Sequence, residues 1–204
     1  MSAQEQAVPV YMLRPDLDSI PAHPLPDGFS CRWYQPGDDR HWTTIWRAAE
    51  QWLDIGPALF RKEFGADDSI ISQRMFFLCD PDGRPVATST AWFNKRHGLP
   101  YGQVHWVAII PQFQGRGLGK PLMTITCQRL KELGHPRAYL GTHNVRVSAI
   151  NLYLAFGFLP EVLDGEQLAI WSKIQPKLKY PIDLRRYGFT GSAAPSRPGV
   201  PRSP

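Results

Sequence analysis

Residues 108–123 read AIIPQFQGRGLGKPLM, and the fold is decided by how this stretch is read. Its opening ends a run rich in β-branched residues, QVHWVAII (103–110), which stops at Pro111 and reads as a strand. Its close begins a helix using Leu118, Leu122, Ile125, Leu130 and Leu133, terminated by Gly134 and Pro136. Between them lie Gln114, Gly115, Arg116, Gly117, Leu118, Gly119 and Lys120. Glycines let a ligand approach the backbone. The first turn of the helix offers N–H groups with no partner inside it, at the positive end of its dipole, and these suit a pyrophosphate. Pro121 in that turn removes no helical hydrogen bond.

Three phosphate-binding patterns compete for this loop. A Walker loop needs GxxxxGK followed by Ser or Thr, but Gln114 stands where its first glycine belongs and Pro121 follows Lys120. A dinucleotide-binding GxGxxG needs its last glycine where Lys120 stands. The third pattern, Gln or Arg, two residues, Gly, one residue, Gly or Ala, is met by Gln114, Gly117 and Gly119. Alone it also fits a glycine-rich turn with no ligand.

Outward from the loop the chain alternates strands and helices. VPVYML (8–13) and FSCRWY (29–34) read as strands, separated by the proline-rich connector IPAHPLPDG. After PGDD, where Asp38 or Asp39 can cap, Trp42, Ile45, Trp46, Ala49 and Leu53 follow helical spacing. ALFRKEF reads as a short second helix. RMFFLCD and PVATSTAWF form a hairpin across PDGR. RAYLGT (137–142) is a further strand, and Val145, Ala149, Leu152, Tyr153 and Phe156 mark a helix ending at Gly157. FLPEVL returns as a strand and GEQLAIWSKI as a last helix. The order implies an α/β (α+β) fold, a mixed central sheet flanked by helices. Three segments are expected: the N-terminal strand and connector (1–28), the main domain (29–178) and a basic tail (179–204).

Composition narrows the function. Lys177, Lys179, Arg185, Arg186, Arg197 and Arg202 against Asp183 account for the entire net charge of +5, so the chain before residue 177 is neutral. A basic nucleic-acid-binding face is not implied, and GSAAPSRPGVPRSP reads as a solvated tail. MSAQEQAV is too polar for a signal peptide and no apolar run has the length of a membrane span. Cys31, Cys79 and Cys127 show neither CxxC nor Cys/His spacing, which argues against a disulfide framework and against any metal site. The expectation is a cytoplasmic protein.

The loop does not stand alone. AIIPQFQGRGLGKPLM, followed by AINLYLAFGF (149–158), resembles the two signatures of the GNAT acetyltransferase superfamily, in the right order and distance. The resemblance spans roughly residues 29–162. It implies a GNAT-like acyltransferase fold whose strand before the loop splays from its neighbour, with the pantetheine arm of acetyl-CoA in the opening. Val107, Ala108 and Ile109 are then expected to bind the pantetheine, and the amides of residues 114–120 the pyrophosphate. A backbone N–H near Ile109 takes the oxyanion role.

The resemblance further implies transfer of acetyl to a primary amine, which needs a base, since an alkylamine is protonated at pH 7. His105 stands where serotonin acetyltransferases, which this stretch is similar to, place one of two strand histidines. Gln103 occupies the place of the other. Strand alternation puts His105 on one face with Gln103, Val107 and Ile109; a strand histidine bonded to a carbonyl is the competing reading. Tyr153 matches the tyrosine that protonates the departing thiolate, against the reading of a core tyrosine. Family members often carry asparagine where Arg146 stands, so Asn151 takes that contact with CoA or the contact is absent; Arg146 binds a phosphate, an acidic acceptor group or solvent. The acceptor pocket is expected among Trp33, Tyr34, Trp42, Trp46, Glu50, Trp52 and Phe60. A small-molecule amine is the expected acceptor. A protein N-terminus or lysine, or a silent acyl-CoA-binding module, are the alternatives, and a homodimer is left open.

Overall fold

The computed structural model describes residues 6–50 and 53–184. Seven strands form one sheet: β1 (Pro9–Arg14), β2 (Ser30–Trp33), β3 (Met75–Cys79), β4 (Pro85–Arg96), β5 (Leu99–Ile109), β6 (Ala138–His143) and β7 (Leu159–Pro160). Their spatial order is β2-β3-β4-β5-β6-β1-β7. All pairings are antiparallel except that of β5 with β6. β1 thus lies inside the sheet, between β6 and β7.

The helices are α1 (Asp39–Ala49), α2 (Pro57–Phe64), α3 (Asp68–Ser72), α4 (Gly119–Glu132), α5 (Val147–Ala155) and α6 (Gly165–Ile174). The first three lie on one face of the sheet and the last three on the other. β3 shows how the sheet serves both layers. Met75, Phe77 and Cys79 pack with Trp42, Ile45 and Phe60 from α1 and α2. Phe76 and Leu78 pack with Leu118 and Leu122 at the start of α4. All five β3 residues are buried, the pattern of a strand covered on both sides. Val10 and Met12 of β1 join Met123, Ile150, Phe156 and Trp171 in the third cluster.

Several boundaries depart from the sequence pattern. α1 stops at Ala49 because Glu50 turns extended, so Leu53 lies outside the helix and is half exposed. Asp38 occupies the cap position of α1 without capping it. Its carboxylate is taken by Arg32 and by the Gln35 amide at 2.8 Å. The short α3, capped by Asp67 through Ser69 N, had no periodic signal. Val145 lies ahead of α5 and is exposed. Trp52 and residues 185–204 of the tail lie outside the described residues.

Candidate active site

The site begins where two strands part. β5 and β6 pair only at Gly102 with Ala138 and Gln103 with Tyr139. Beyond that point each strand continues, β5 to Ile109 and β6 to His143, without the other. β5 keeps β4 on its far edge and β6 keeps β1, so both present unpaired backbone to the gap between them. An extended amide-bearing chain would find partners there. The gap opens into a cavity of about 630 Å³ lined by Gln103, His105, Trp106, Val107, Thr142 and Tyr153, among others.

At the end of β5 the chain makes a short 3-10 turn, Pro111–Phe113, and enters the glycine loop. Gly115 and Gly117 have φ of 75° and 81°, in the left-handed region where a side chain is disfavoured. Gln114 folds back, its Nε2 donating to Ile109 O at 2.9 Å. Leu118 is buried, so its side chain anchors the loop in the core and only its backbone is left for a ligand. Gly119 opens α4 where an added Cβ would come within 3.2 Å of Leu152. The loop residues other than Leu118 and Gly119 are exposed at the start of a 14-residue helix, a geometry that fits a pyrophosphate.

A β-bulge shapes the face of β5 that lines the cavity. Against β4, Thr88 faces Ala108 while Thr90 faces His105, so two β5 residues, Trp106 and Val107, oppose Ser89 alone. Trp106 takes φ of 51°, a conformation that costs a bulky residue about 1–3 kcal/mol. The strand alternation expected from the sequence therefore breaks. His105 and the following Trp106 both turn toward α1 and α2, whereas Val107 and Ile109 pack on the α4 side and Ala108 returns to the first face. His105 shares its face with Gln103, but not with Val107 or Ile109.

What the bulge brings together is Glu63 of α2. Trp106 Nε1 donates to Glu63 Oε2 at 2.9 Å, and His105 Nε2 stands 3.3 Å from the same oxygen. Trp106 is fixed edge-on against Trp46 and Trp42, with centroids 4.6 and 5.1 Å away. The hydrogen bond from His105, with that from Trp106 adding and burial opposing, holds the Glu63 carboxyl below the usual glutamate range. Glu63 is therefore ionised at neutral pH and lines the cavity. On the other side of the ring, Gln103 Nε2 is 3.0 Å from His105 Nδ1, and Gln103 Oε1 is buried with no hydrogen-bond partner among the described residues.

Tyr153 reaches the cavity from α5. Its ring packs edge-on against Phe158, and its hydroxyl makes no hydrogen bond to any described residue. Burial, partly offset by the Arg146 charge, pushes its pKa up to about 12, so the phenol keeps its proton. Arg146 also lines the cavity and is ion-paired with Glu50, joining the start of α5 to the end of α1. His143 stands nearby with its pKa lowered, by burial first and then by Arg146, which favours the neutral ring.

Residues 33–158 match the Acetyltransferase (GNAT) family. The chain belongs to that family. Two curated relatives are mycothiol acetyltransferases. The protein from Thermomonospora curvata is 30% identical over 166 residues, covering 75% of this chain and 52% of the relative. That from Streptomyces griseus is 29% identical over 143 residues, covering 69% and 46%. This GNAT chain therefore spans about half the length of the curated relatives it matches. Among solved structures, the GCN5-related N-acetyltransferase from Sphaerobacter thermophilus shares the fold with a TM-score of 0.57 at 20% identity, over 76% of this chain and 50% of that one. The corresponding protein from Kribbella flavida gives 0.53 at 16%, over 76% and 55%. The mixed sheet flanked by helices is the GNAT acyltransferase fold.

Within this GNAT fold the structure separates the candidate residues. His105, Val107 and Tyr153 line one cavity, Ala108 and Ile109 follow on the same strand edge, and residues 114–120 form the loop beyond. Asn151 is elsewhere. Its Nδ2 donates to Val147 O at 3.0 Å and its Oδ1 accepts from Lys179 N at 2.7 Å, so its amide ties down the C-terminal segment. Of the residues expected around the acceptor, Trp46 lines the cavity, Tyr34, Trp42 and Phe60 are core, and Trp33 stacks under Arg129 on the outer surface. Glu63, Trp106 and His143 were not anticipated. Glu63 and His105 are far apart in sequence, and no periodic signal pairs them.

Proposed function

We propose that this protein transfers the acetyl group of acetyl-CoA to the primary amine of a small molecule. The observation that carries this reading is the β5–β6 gap, ending at Gln103 and Tyr139 in a cavity that holds a Glu63–His105 pair and a protonated Tyr153. The pantetheine lies along the free edge of Val107, Ala108 and Ile109, and the pyrophosphate on the amides of residues 114–120. Small-molecule acetylation is also what the relatives' name, mycothiol acetyltransferase, describes for them.

The chemistry follows from the charges. Glu63 attracts the cationic amine, His105 Nε2 beside it takes the amine proton, and the Glu63 carboxylate holds the imidazolium that forms. The Gln103 amide, 3.0 Å from Nδ1, turns its Oε1 to that nitrogen and accepts Nδ1–H. The freed amine attacks the thioester carbonyl, whose oxygen is held by a backbone N–H near Ile109. The C–N bond forms and the C–S bond breaks; the second amine proton leaves the tetrahedral intermediate for water, His105 returns the first to solvent, and the Tyr153 phenol gives its proton to the thiolate and recovers one from solvent. The test is mass spectrometry of a mixed library of small amines and peptides incubated with protein and acetyl-CoA. Acetylated small amines are expected; products confined to peptides would reassign the acceptor, and free CoA with no acetylated product would refute transfer.

A further inference from the structure

The hairpin of β4 and β5 extends past the sheet that carries it. β3 pairs with β4 no further than Thr90, and β6 pairs with β5 only at Gly102 and Gln103. Residues 92–96 and 99–101 therefore form an arm whose strands pair chiefly with each other. His97 and Gly98 make its two-residue turn, with φ of 51° and 75°, the signs of a type I′ hairpin. A two-stranded ribbon of this kind is marginally stable in water. Yet Asn94, Lys95 and Arg96 of the arm line the same cavity as Glu63 and His105.

Ring contacts of Trp92, Phe93 and Tyr101 hold the base of the arm, and a buried carboxylate grips its tip. Glu161, just after β7, is 4% exposed and does not line the cavity. Arg96 Nε lies 2.9 and 3.0 Å from its two oxygens, and a terminal nitrogen of Arg96 closes on Oε2. His97 Nε2 is 2.7 Å from Oε1. The backbone of Glu161 is fixed in turn, its N–H donating to Tyr11 O at 3.0 Å. The Arg96 guanidinium also covers the Tyr11 ring at 4.0 Å and the Tyr139 ring at 5.3 Å. A charged pair buried to this degree has directional partners on both sides, and removing one charge leaves the other uncompensated.

We infer that Glu161 is a positioning residue for the acceptor: by gripping Arg96 and His97 it sets the β4–β5 arm as the acceptor-side wall of the transfer cavity. The inference rests on the proposed reading of that cavity. The arm and the glycine loop lie at opposite ends of β5, whose 11 residues span about 36 Å at the usual strand rise. Loss of the grip should therefore weaken acceptor binding and leave acetyl-CoA binding alone.

The test uses Glu161→Gln, which keeps shape and removes charge, in the full chain. Amide hydrogen exchange in residues 92–101 should quicken by about tenfold or more, while β3 and α4 keep wild-type protection. With phenethylamine as the large probe amine, KM should rise about tenfold with kcat within about threefold, and KM for the small ethanolamine should barely move. Acetyl-CoA affinity should stay within about twofold. Unchanged exchange in the arm, or a fall in kcat with KM unmoved for both amines, overturns the inference. Should wild type acetylate neither amine, the proposed acceptor chemistry fails, whereas the exchange measurement still decides whether Glu161 holds the arm. If Glu161→Gln does not fold, His97→Gln removes the outer contact only. It must then quicken exchange at the tip, residues 96–99, or the inference is wrong.

Discussion

Replacing Tyr153 by phenylalanine separates a proton donor from a packing residue, because its hydroxyl has no hydrogen-bond partner among the described residues. Tyr153→Phe keeps the ring and its edge contact with Phe158 at 6.3 Å. A typical internal hydrogen bond is worth about 0.5–1.5 kcal/mol, and none to the protein is lost here, so stability should change by less than about 1 kcal/mol. For a chain of this length that is a melting shift of no more than about 2–4 °C. The effect on turnover is a different matter. With a pKa of about 12 the phenol is protonated throughout the assay range. A positioned acid contributes roughly 10²–10⁴-fold, and a thiolate of ordinary pKa, about 8.5, is already a fair leaving group, so the lower end applies: about 10²-fold. The assay is turnover from pH 6 to 9 at saturating acetyl-CoA, with an acceptor for which chemistry limits the rate. The deficit should narrow toward pH 9, and acetyl-CoA affinity should hold within about twofold. A phenylalanine variant as fast as wild type across that range would refute the assignment and return Tyr153 to the core.

Other perturbations probe the remaining parts. Glu63→Gln removes a charge 3.3 Å from His105; two unit charges at that distance interact by about 5 kcal/mol at an effective dielectric of about 20, and partial exposure reduces this, so turnover should fall about 10–10²-fold with acetyl-CoA affinity intact. A variant within twofold of wild type in the same assay would remove Glu63 from the mechanism. Asn151→Ala breaks the amide's two hydrogen bonds and should cost about 1–3 kcal/mol in thermal or denaturant melts, without changing acetyl-CoA binding by calorimetry. Gly117→Asp sets a carboxylate in the proposed pyrophosphate site, in a φ > 0 position that aspartate tolerates, and should abolish the thermal shift expected from acetyl-CoA with wild type. At ligand about 100-fold above Kd that shift corresponds to about 2.7 kcal/mol. Asp38 and Glu161 both titrate below their ordinary values: burial opposes the shift, but Arg32 and Gln35 in one case and Arg96 and His97 in the other outweigh it. A depressed folded-state pKa gives stability that is complete above the unfolded values of about 4 and lost as pH falls through the lower folded ones, so melting temperatures should drop steeply below about pH 4. Glu161→Gln should flatten that drop.

The elements with strong local periodicity were legible before the structure. The glycine loop, α4 and the strand ahead of it follow from turn chemistry and apolar spacing alone, and their positions agree with the structure to within a few residues. The structure departs from the local pattern where a side-chain partner or a bulge overrides a local rule. Asp38 was open to a capping role, but Arg32 captures its carboxylate. His105 was assigned its neighbours by alternation, and a bulge with Trp106 at positive φ breaks that alternation. No residue type marks this bulge, whose indole is held by Glu63, Trp42 and Trp46. The same holds for Glu63 itself, an unremarkable polar residue of a short helix until the sheet brings His105 against it. Asn151 shows the reverse: a residue type suited to a ligand, spent on Val147 and the backbone of Lys179.

Occupation of the β5–β6 gap by acetyl-CoA is tested most directly by amide hydrogen exchange measured with and without saturating acetyl-CoA. Slower exchange confined to residues 107–109, residues 114–120 and the facing edge of β6, with α6 unaffected, is the expected result. Binding that leaves those amides unchanged, or no binding at all, would contradict the placement of the cofactor and with it the proposed transfer.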